Sequence, residues 1–539
     1  MRGGMLLDIS LNGFKFQKSH KNIGLRFQNP ERYRKLAVTK QLMADGVDPA
    51  NFKAMGGLSL NAYKTFNEIL DARQTAVQEF YGAQQSNSIS SELLTSKSVT
   101  EKRNVLVLLI DFEDKPSTNS RETFEEKLFS TGNDPPVSVR EYYQEVSSGN
   151  FDINGEVHGW YRADHDYCYY SDDLCQNSIS WTLPHSKVLV EEVLNKAKAD
   201  VDFAKFAENG KLSTLIIVFA GIGGDDKFYS DCTNSESEHC FNLYPHHAML
   251  DAPVELGSGV TVDSYILMHE LPIDDVGGYC HEIGHNLGLP DLYISDHSST
   301  VVGRWCLMAL GDRNGDGKSP SHLNPWCKIH LGWAKPQVVT GKLNNYTIPN
   351  EPESPQTIFR IDVENTDGNE YFLVENRQKT GFDSGLPGSG LLIWHVNESK
   401  AMEHFPNNDP ENFFLTLKQA DGLNDLEMRI KPDETPPITE TEWEGDPGDA
   451  YPGNTENRKF DHFTNPSSKS YSGEASCVSV VSISDPKPAM EAVIGVECTG
   501  IPVQPSEHVE DGSMTSYAEG YKCGYKTGYA EALQEFKRK

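Results

Sequence analysis

The 539-residue sequence predicts an α/β layer over about residues 99–340, then a β-rich unit over 341–500. Three observations carry this. Asn104–Phe112 (NVLVLLIDF) and Ser213–Phe219 (STLIIVF) are continuous apolar runs of strand length without polar alternation, as strands covered on both faces require. Ser186–Phe206 lies before the second run and carries the apolar spacing of a long amphipathic helix. After Trp333 the pattern changes to short alternating segments, among them Glu370–Asn376 and Gly390–Val396, divided by Gly, Pro and Asn turns.

The remaining elements follow in chain order. Residues 1–98 are polar with helical stretches at Asn29–Gly46 and Leu58–Tyr81, and the Ser/Gln/Asn-rich Gln84–Ser98 reads as a linker. A leading helical unit of this size suits a pro-segment or an N-terminal cap. Val137–Ser147 has a helical pattern ending in Ser-Gly-Asn, and Phe151–Trp160 suits the next strand. Ile501–Thr515 is a Pro/Ser/acidic linker to a short tail, 501–539 in all. There Tyr517, Tyr521, Tyr525 and Tyr529 recur every fourth residue beside Gly520, Gly524 and Gly528. On a helix these make a tyrosine stripe along a glycine groove, suited to docking or self-association, although each glycine also weakens the helix.

Composition narrows the function classes. With 79 Asp+Glu against 48 Lys+Arg the formal charge is -31, which repels phosphate backbones and excludes nucleic acid as a general partner. No apolar run reaches the roughly 18 residues of a membrane-spanning helix. Of the ten cysteines, Cys168/Cys175, Cys232/Cys240 and Cys477/Cys498 are spaced to close local disulfide loops, with buried free thiols as the alternative. No Cys-x-x-Cys occurs, which disfavours a cysteine-rich structural zinc site. The opening MRGGMLLDISLNGFKF lacks the apolar core and cleavage site of a signal peptide.

The decisive segment is Asp274–Tyr293, DDVGGYCHEIGHNLGLPDLY. His281 and His285 are four apart, so on a helix they differ by about 40° and aim two imidazoles at one ion. Glu282 flanks that face, where it reaches water at the metal rather than the metal itself. Asp274 and Asp275 place negative charge near the helix start, and Gly288 suits the left-handed exit. Asp291 then arrives ten residues after the first His, where His-Glu-x-x-His-x-x-Gly-x-x-His carries its third ligand. A carboxylate is a legitimate zinc ligand, and three protein ligands leave a fourth position open, the mark of a catalytic zinc site. Met308, in RWCLMALG, follows at the distance where metzincins place a methionine-bearing turn beneath the metal.

These stretches, with SPSHLNPWCKIHLGW, YFLVENRQKTGFDSGLPGSGLLIWHV and GDPGDAYPG, resemble the immune inhibitor A family of secreted bacterial metallopeptidases. The resemblance spans about residues 100–490. It implies a zincin or metzincin-like catalytic domain over 99–340, made with a pro-segment and secreted. It also implies one catalytic zinc on His281, His285 and Asp291, Glu282 as catalytic glutamate, and protein or peptide substrates. A missing signal peptide is the one departure. The competing expectations are a non-catalytic zinc-binding surface or adhesion protein of the same fold, acting through its β-rich region, and a structural zinc or calcium module. Nothing in the sequence sets the oligomeric state.

Lesser candidates complete the expectations. Asp312-Arg-Asn314-Gly-Asp316-Gly317 spaces oxygens like the first half of a calcium loop, but Leu323 stands at the twelfth position; a polar loop bordering the cleft is the preferred reading. Asp446-Pro-Gly-Asp449 is a calcium loop or a turn. His246 and His247 line the cleft or lie exposed, Cys280 packs, and His269-Glu270 lacks a second His at metal spacing. A strand ending at Phe219–Gly224 is expected to hold an extended peptide by edge pairing.

Overall fold

The computed structural model describes residues 101–496 apart from 134, 172–183, 224–242, 296–297, 351–356, 365, 367, 402, 404 and 430–438. The expected helices at 29–46 and 58–81, both linkers and the tyrosine-striped tail lie outside those residues. So does at least one member of each expected cysteine pair.

A mixed seven-stranded sheet organises the first part. Its strands are β1 (Glu101–Asp111), β2 (Phe151–Arg162), β3 (Ala207–Glu208), β4 (Lys211–Leu212), β5 (Thr214–Ile222), β6 (His246–Gly257) and β7 (Val260–Leu271). The order runs β2-β1-β5-β7, with β6 antiparallel on the far side of β7. β1, β2, β5 and β7 pair in parallel. The two apolar runs are the central strands, and their side chains divide between two cores. Val105, Val107, Leu109, Ile216 and Val218 enter one cluster; Leu106, Leu108, Ile110, Leu215, Ile217 and Phe219 enter the other. Burial on both faces explains why these strands show no alternation.

Helices cover both faces: α1 (Arg121–Phe129), α2 (Val139–Val146), the short α3 (Tyr167–Ser171), α4 (Pro184–Ala197), α5 (Val276–Asn286) and α6 (Pro325–His330). Ser138 and Glu141 form a reciprocal capping box on α2. The helix expected over Ser186–Phe206 is shorter than that reading. α4 ends at Ala197, and Asp202 caps a separate 3-10 turn, Phe203–Phe206. Phe203 and Phe206 still reach the same core as α4, so the apolar spacing continued after the helix had stopped.

Beyond the helices come a five-stranded and a four-stranded sheet. β8 (Gln337–Val338), β10 (Phe359–Asp362), β11 (Glu370–Arg377), β12 (Gly390–Asn397) and β13 (Leu415–Leu417) form the first; β9 (Asn344–Pro349), β14 (Lys459–Phe460), β15 (Val478–Val481) and β16 (Ala489–Val496) form the second. The alternating segments at β11 and β12 are not half-exposed, because every residue of both strands is buried. Tyr371, Leu373, Leu392, Trp394 and Val396 face the cluster that also lies beneath β1 and β5, while Phe372, Val374, Leu391 and Ile393 face the four-stranded sheet. The β-rich part therefore shares a core with the α/β part. Trp305 Nε1 donates to Asp449 Oδ2 at 2.8 Å across the same boundary.

Candidate metal centre

Local rules build helix α5 as the sequence suggests. Asp275 is its N-cap and accepts a hydrogen bond from Gly278 N at 2.9 Å. At the other end Gly288 takes φ +99°. Gly288 N donates to His285 O at 2.9 Å and Leu289 N to Gly284 O at 3.1 Å, the paired bonds of a Schellman exit. This reversal brings Asp291 back over the helix. Leu292 N then donates to Met308 O at 2.8 Å, tying the returning strand to the methionine turn.

Two glycines of α5 are required by what lies against them. A Cβ on Gly284 would stand 2.5 Å from Met308 Sδ, so the methionine is seated directly against the helix that carries the two histidines. A Cβ on Gly277 would stand 1.8 Å from Asp312 O, and Gly277 N donates to Gly317 O at 2.8 Å. The 312–317 loop is thus a clamp on the helix start. Gly277→Ala is expected to destabilise the fold by about 1–3 kcal/mol or more, because the obstacle is backbone that cannot swing aside; urea unfolding measures it.

Three donor atoms converge at the exit of this helix. His281 Nε2 lies 3.1 Å from His285 Nε2, and Asp291 Oδ1 lies 3.2 Å from each. His281 Nδ1 stands 2.8 Å from Leu307 O, and His285 Nδ1 stands 2.9 Å from Leu289 O. Carbonyl oxygens only accept, so each Nδ1 carries its proton and each Nε2 lone pair points inward. With both rings neutral, three acceptors face one another, so the site calls for a cation or, without one, a proton on Nε2. Ligands about 2.0–2.1 Å from a tetrahedral zinc stand about 3.3–3.4 Å apart, which matches the spacing found. The donor set fits that ion.

The electrostatics agree. Burial opposes charge on His281, yet Asp291 outweighs it and raises the imidazole to about 10. Burial likewise opposes the charge of Asp291, but His285 and His281 hold its carboxyl far below the ordinary range. Glu282 is buried beside them, with Oε2 unpartnered, and burial raises its pKa against the pull of both histidines.

Other predicted residues take clear places. Cys280 is fully buried packing. Glu270 Oε1 accepts from Thr118 N and Asn119 N, both at 2.6 Å, and Oε2 from Gly221 N at 3.0 Å, so it ties loops together at the end of the sheet. The strand ending at Phe219–Gly224 is not an edge, since β5 pairs with β1 on one side and β7 on the other. The edge beside the centre is β6, paired on one side only among the described residues. His246 and His247 open it. His247 and Met249 line a polar cleft with His285 and Gly288, and burial followed by repulsion from His285 pushes His247 down to about 3.

Tyr293 was not singled out from the sequence. Its hydroxyl donates to Asp291, and burial first, then the Asp291 charge, raises its pKa far above the phenol range. Its position two residues after Asp291 was the only available signal. Among the described residues the 312–317 loop gathers no metal-binding cluster. The other group of donors besides the His281 centre is Asp421, Asp446 and Asp449, whose oxygens lie within 4.8 Å of one another.

A family profile described as immune inhibitor A peptidase M6, catalytic domain, matches residues 92–335, which contain the whole centre. Residues 92–335 are thus similar to an immune inhibitor A peptidase catalytic domain. The pre-pro-metalloprotease PrtV of Vibrio cholerae, in two strains, is 29% identical over 277 residues, or 42% of this chain and 29% of that protein. Immune inhibitor A of Bacillus thuringiensis subsp. alesti is 24% identical over 279 residues, 42% of this chain and 39% of that protein. The chain thus spans less than two fifths of the length of these curated relatives. The family match ends before β8, so the resembling stretches at 371–396 and 445–453 lie beyond it.

Proposed function

We propose that the chain is a zinc-dependent endopeptidase of the metzincin-like kind, with His281, His285 and Asp291 as zinc ligands and Glu282 as general base. The observation that carries this is the ring of three inward lone pairs, held by two Nδ1–H bonds to backbone carbonyls, with a buried carboxylate free beside it. A bound zinc would supply Lewis acidity, lowering the pKa of water and polarising a peptide carbonyl. Glu282 then takes the proton from the attacking water and gives it to the departing amine. Its burial, which lifts its pKa, suits a group that must both accept and return a proton. An extended peptide would pair with the outer edge of β6, with side chains directed toward the cleft of His247 and Met249.

Protein substrates, export to an oxidising compartment and a leading pro-segment belong to the same proposal. No helix among the described residues is long and apolar enough to cross a membrane. Calcium is proposed only for the Asp421, Asp446 and Asp449 trio, where Trp305 of the segment leading into the methionine turn is bonded to Asp449.

Digestion of a mixed protein substrate tests the proposal. A strong chelator is expected to abolish cleavage by processed protein, and added zinc to restore it. Undiminished cleavage after verified removal of the metal would exclude the mechanism.

A further inference from the structure

Two of the three free cysteines among the described residues lie together under the methionine turn. Cys306 and Cys327 are fully buried in the same core and share Asn324 as a partner. Asn324 bridges them, with Nδ2 donating to Cys306 Sγ at 3.3 Å and Oδ1 accepting from Cys327 N at 3.1 Å. Their setting is the support of the metal centre. Cys306 O accepts from Ala309 N and Gly311 N, both at 3.0 Å, and the next residue, Leu307, supplies the carbonyl that orients His281.

We propose that Cys306 and Cys327 are a redox pair, closing to a disulfide that locks the methionine turn onto the N-terminus of α6. The Asn324 side chain, bonded to Cys306 Sγ and to Cys327 N, holds the two residues on either side of one amide, so the fold gathers the pair. The Asn324 amide donates to Cys306 Sγ and stabilises a thiolate there, whereas burial pushes Cys327 up. Cys306 is therefore the attacking sulfur and Cys327 the resolving one.

The oxidant is a disulfide, whether small-molecule or protein. The Cys306 thiolate attacks one of its sulfurs to form a mixed disulfide and releases one thiolate. Cys327, losing its proton, then attacks Cys306 Sγ and releases the second. One Sγ–Sγ bond forms, two S–H bonds break, and the oxidant's S–S bond takes two electrons and two protons to become two thiols. Because both sulfurs are shielded in the folded chain, exchange takes place as the turn closes during folding or in its opened state.

Oxidation joins residues twenty-one apart around Ser321, His322 and Leu323, restricting the unfolded chain most in the segment that seats His281. Cys280, equally buried but outside this pair, serves as an internal control that stays a thiol.

The test uses the full chain equilibrated in mixtures of reduced and oxidised glutathione, refolded and native samples in parallel. Samples are acid-quenched, alkylated under denaturing conditions without reductant, digested and weighed. The expected result is a Cys306–Cys327 linked peptide, two hydrogens lighter than the dithiol, that dominates as the mixture becomes oxidising while Cys280 remains alkylated. The melting temperature of wild type should rise by a few degrees on oxidation, and Cys327→Ala should lose that rise. Recovery of Cys306 and Cys327 as separately alkylated thiols across the whole series overturns the proposal, as does their linkage to other cysteines. Mass reads the bond directly, so the outcome does not depend on the zinc assignment.

Discussion

Replacing Glu282 by Gln is expected to lower kcat/KM on a protein substrate by about 10²–10⁴-fold, while zinc content and fold stay as in wild type. The two outcomes separate because Glu282 is not among the three convergent donors. Its neighbours His281 and His285 keep their Nδ1 bonds to Leu307 O and Leu289 O whatever stands at 282. Gln has the shape of Glu but cannot accept a proton, so chemistry fails while geometry persists. Stability should hold or rise, since a buried carboxylate with an unpartnered oxygen gives way to a neutral amide. Kinetics, metal analysis and a thermal melt on one preparation decide it. Full activity in Glu282→Gln would remove the general-base role, and loss of zinc would make Glu282 a support of the ligands instead.

The convergence of His281, His285 and Asp291 was legible in the sequence because its geometry is local. Two histidines at helical spacing, a glycine that permits the turn-back and an aspartate just beyond it fall within eleven residues, and helix and Schellman geometry do the rest. The central strands were legible for a similar reason, as burial on both faces leaves an unbroken apolar run. What could not be read depends on long-range pairing. Which strand forms the edge is set by β6 folding back on β7, and nothing within Thr214–Ile222 announces that both its sides are occupied. The alternation of Glu370–Asn376 suggested a wet face; the four-stranded sheet that dries it comes from Asn344–Pro349 before it and from strands between Lys459 and Val496 after it. The 312–317 loop spaces its oxygens as a calcium loop does, yet its glycines and carbonyls are spent on Gly277 and Asp275 at the start of α5.

The next largest effect is expected at Asp291, the proposed third ligand, where two substitutions separate donor from charge. Asp291→Asn keeps an oxygen near the two imidazoles but removes the only formal negative charge among the three donors. It is expected to weaken zinc binding by more than the roughly 10–100-fold typical of losing an outer-sphere partner. Tyr293→Phe removes such a partner, the hydroxyl that donates to Asp291, and should fall within that 10–100-fold range. The order of affinity is then wild type, Tyr293→Phe, Asp291→Asn, measured by competition against a chromophoric chelator at fixed pH. Protons compete for the same lone pairs, because the apo-centre holds His281 protonated through Asp291. In Asp291→Asn that competition relaxes, so part of the loss should be recovered as the pH is lowered, and the gap to wild type should widen as it is raised. Wild-type zinc affinity in Asp291→Asn at every pH would mean that the carboxylate, although 3.2 Å from both rings, orients them without binding the ion.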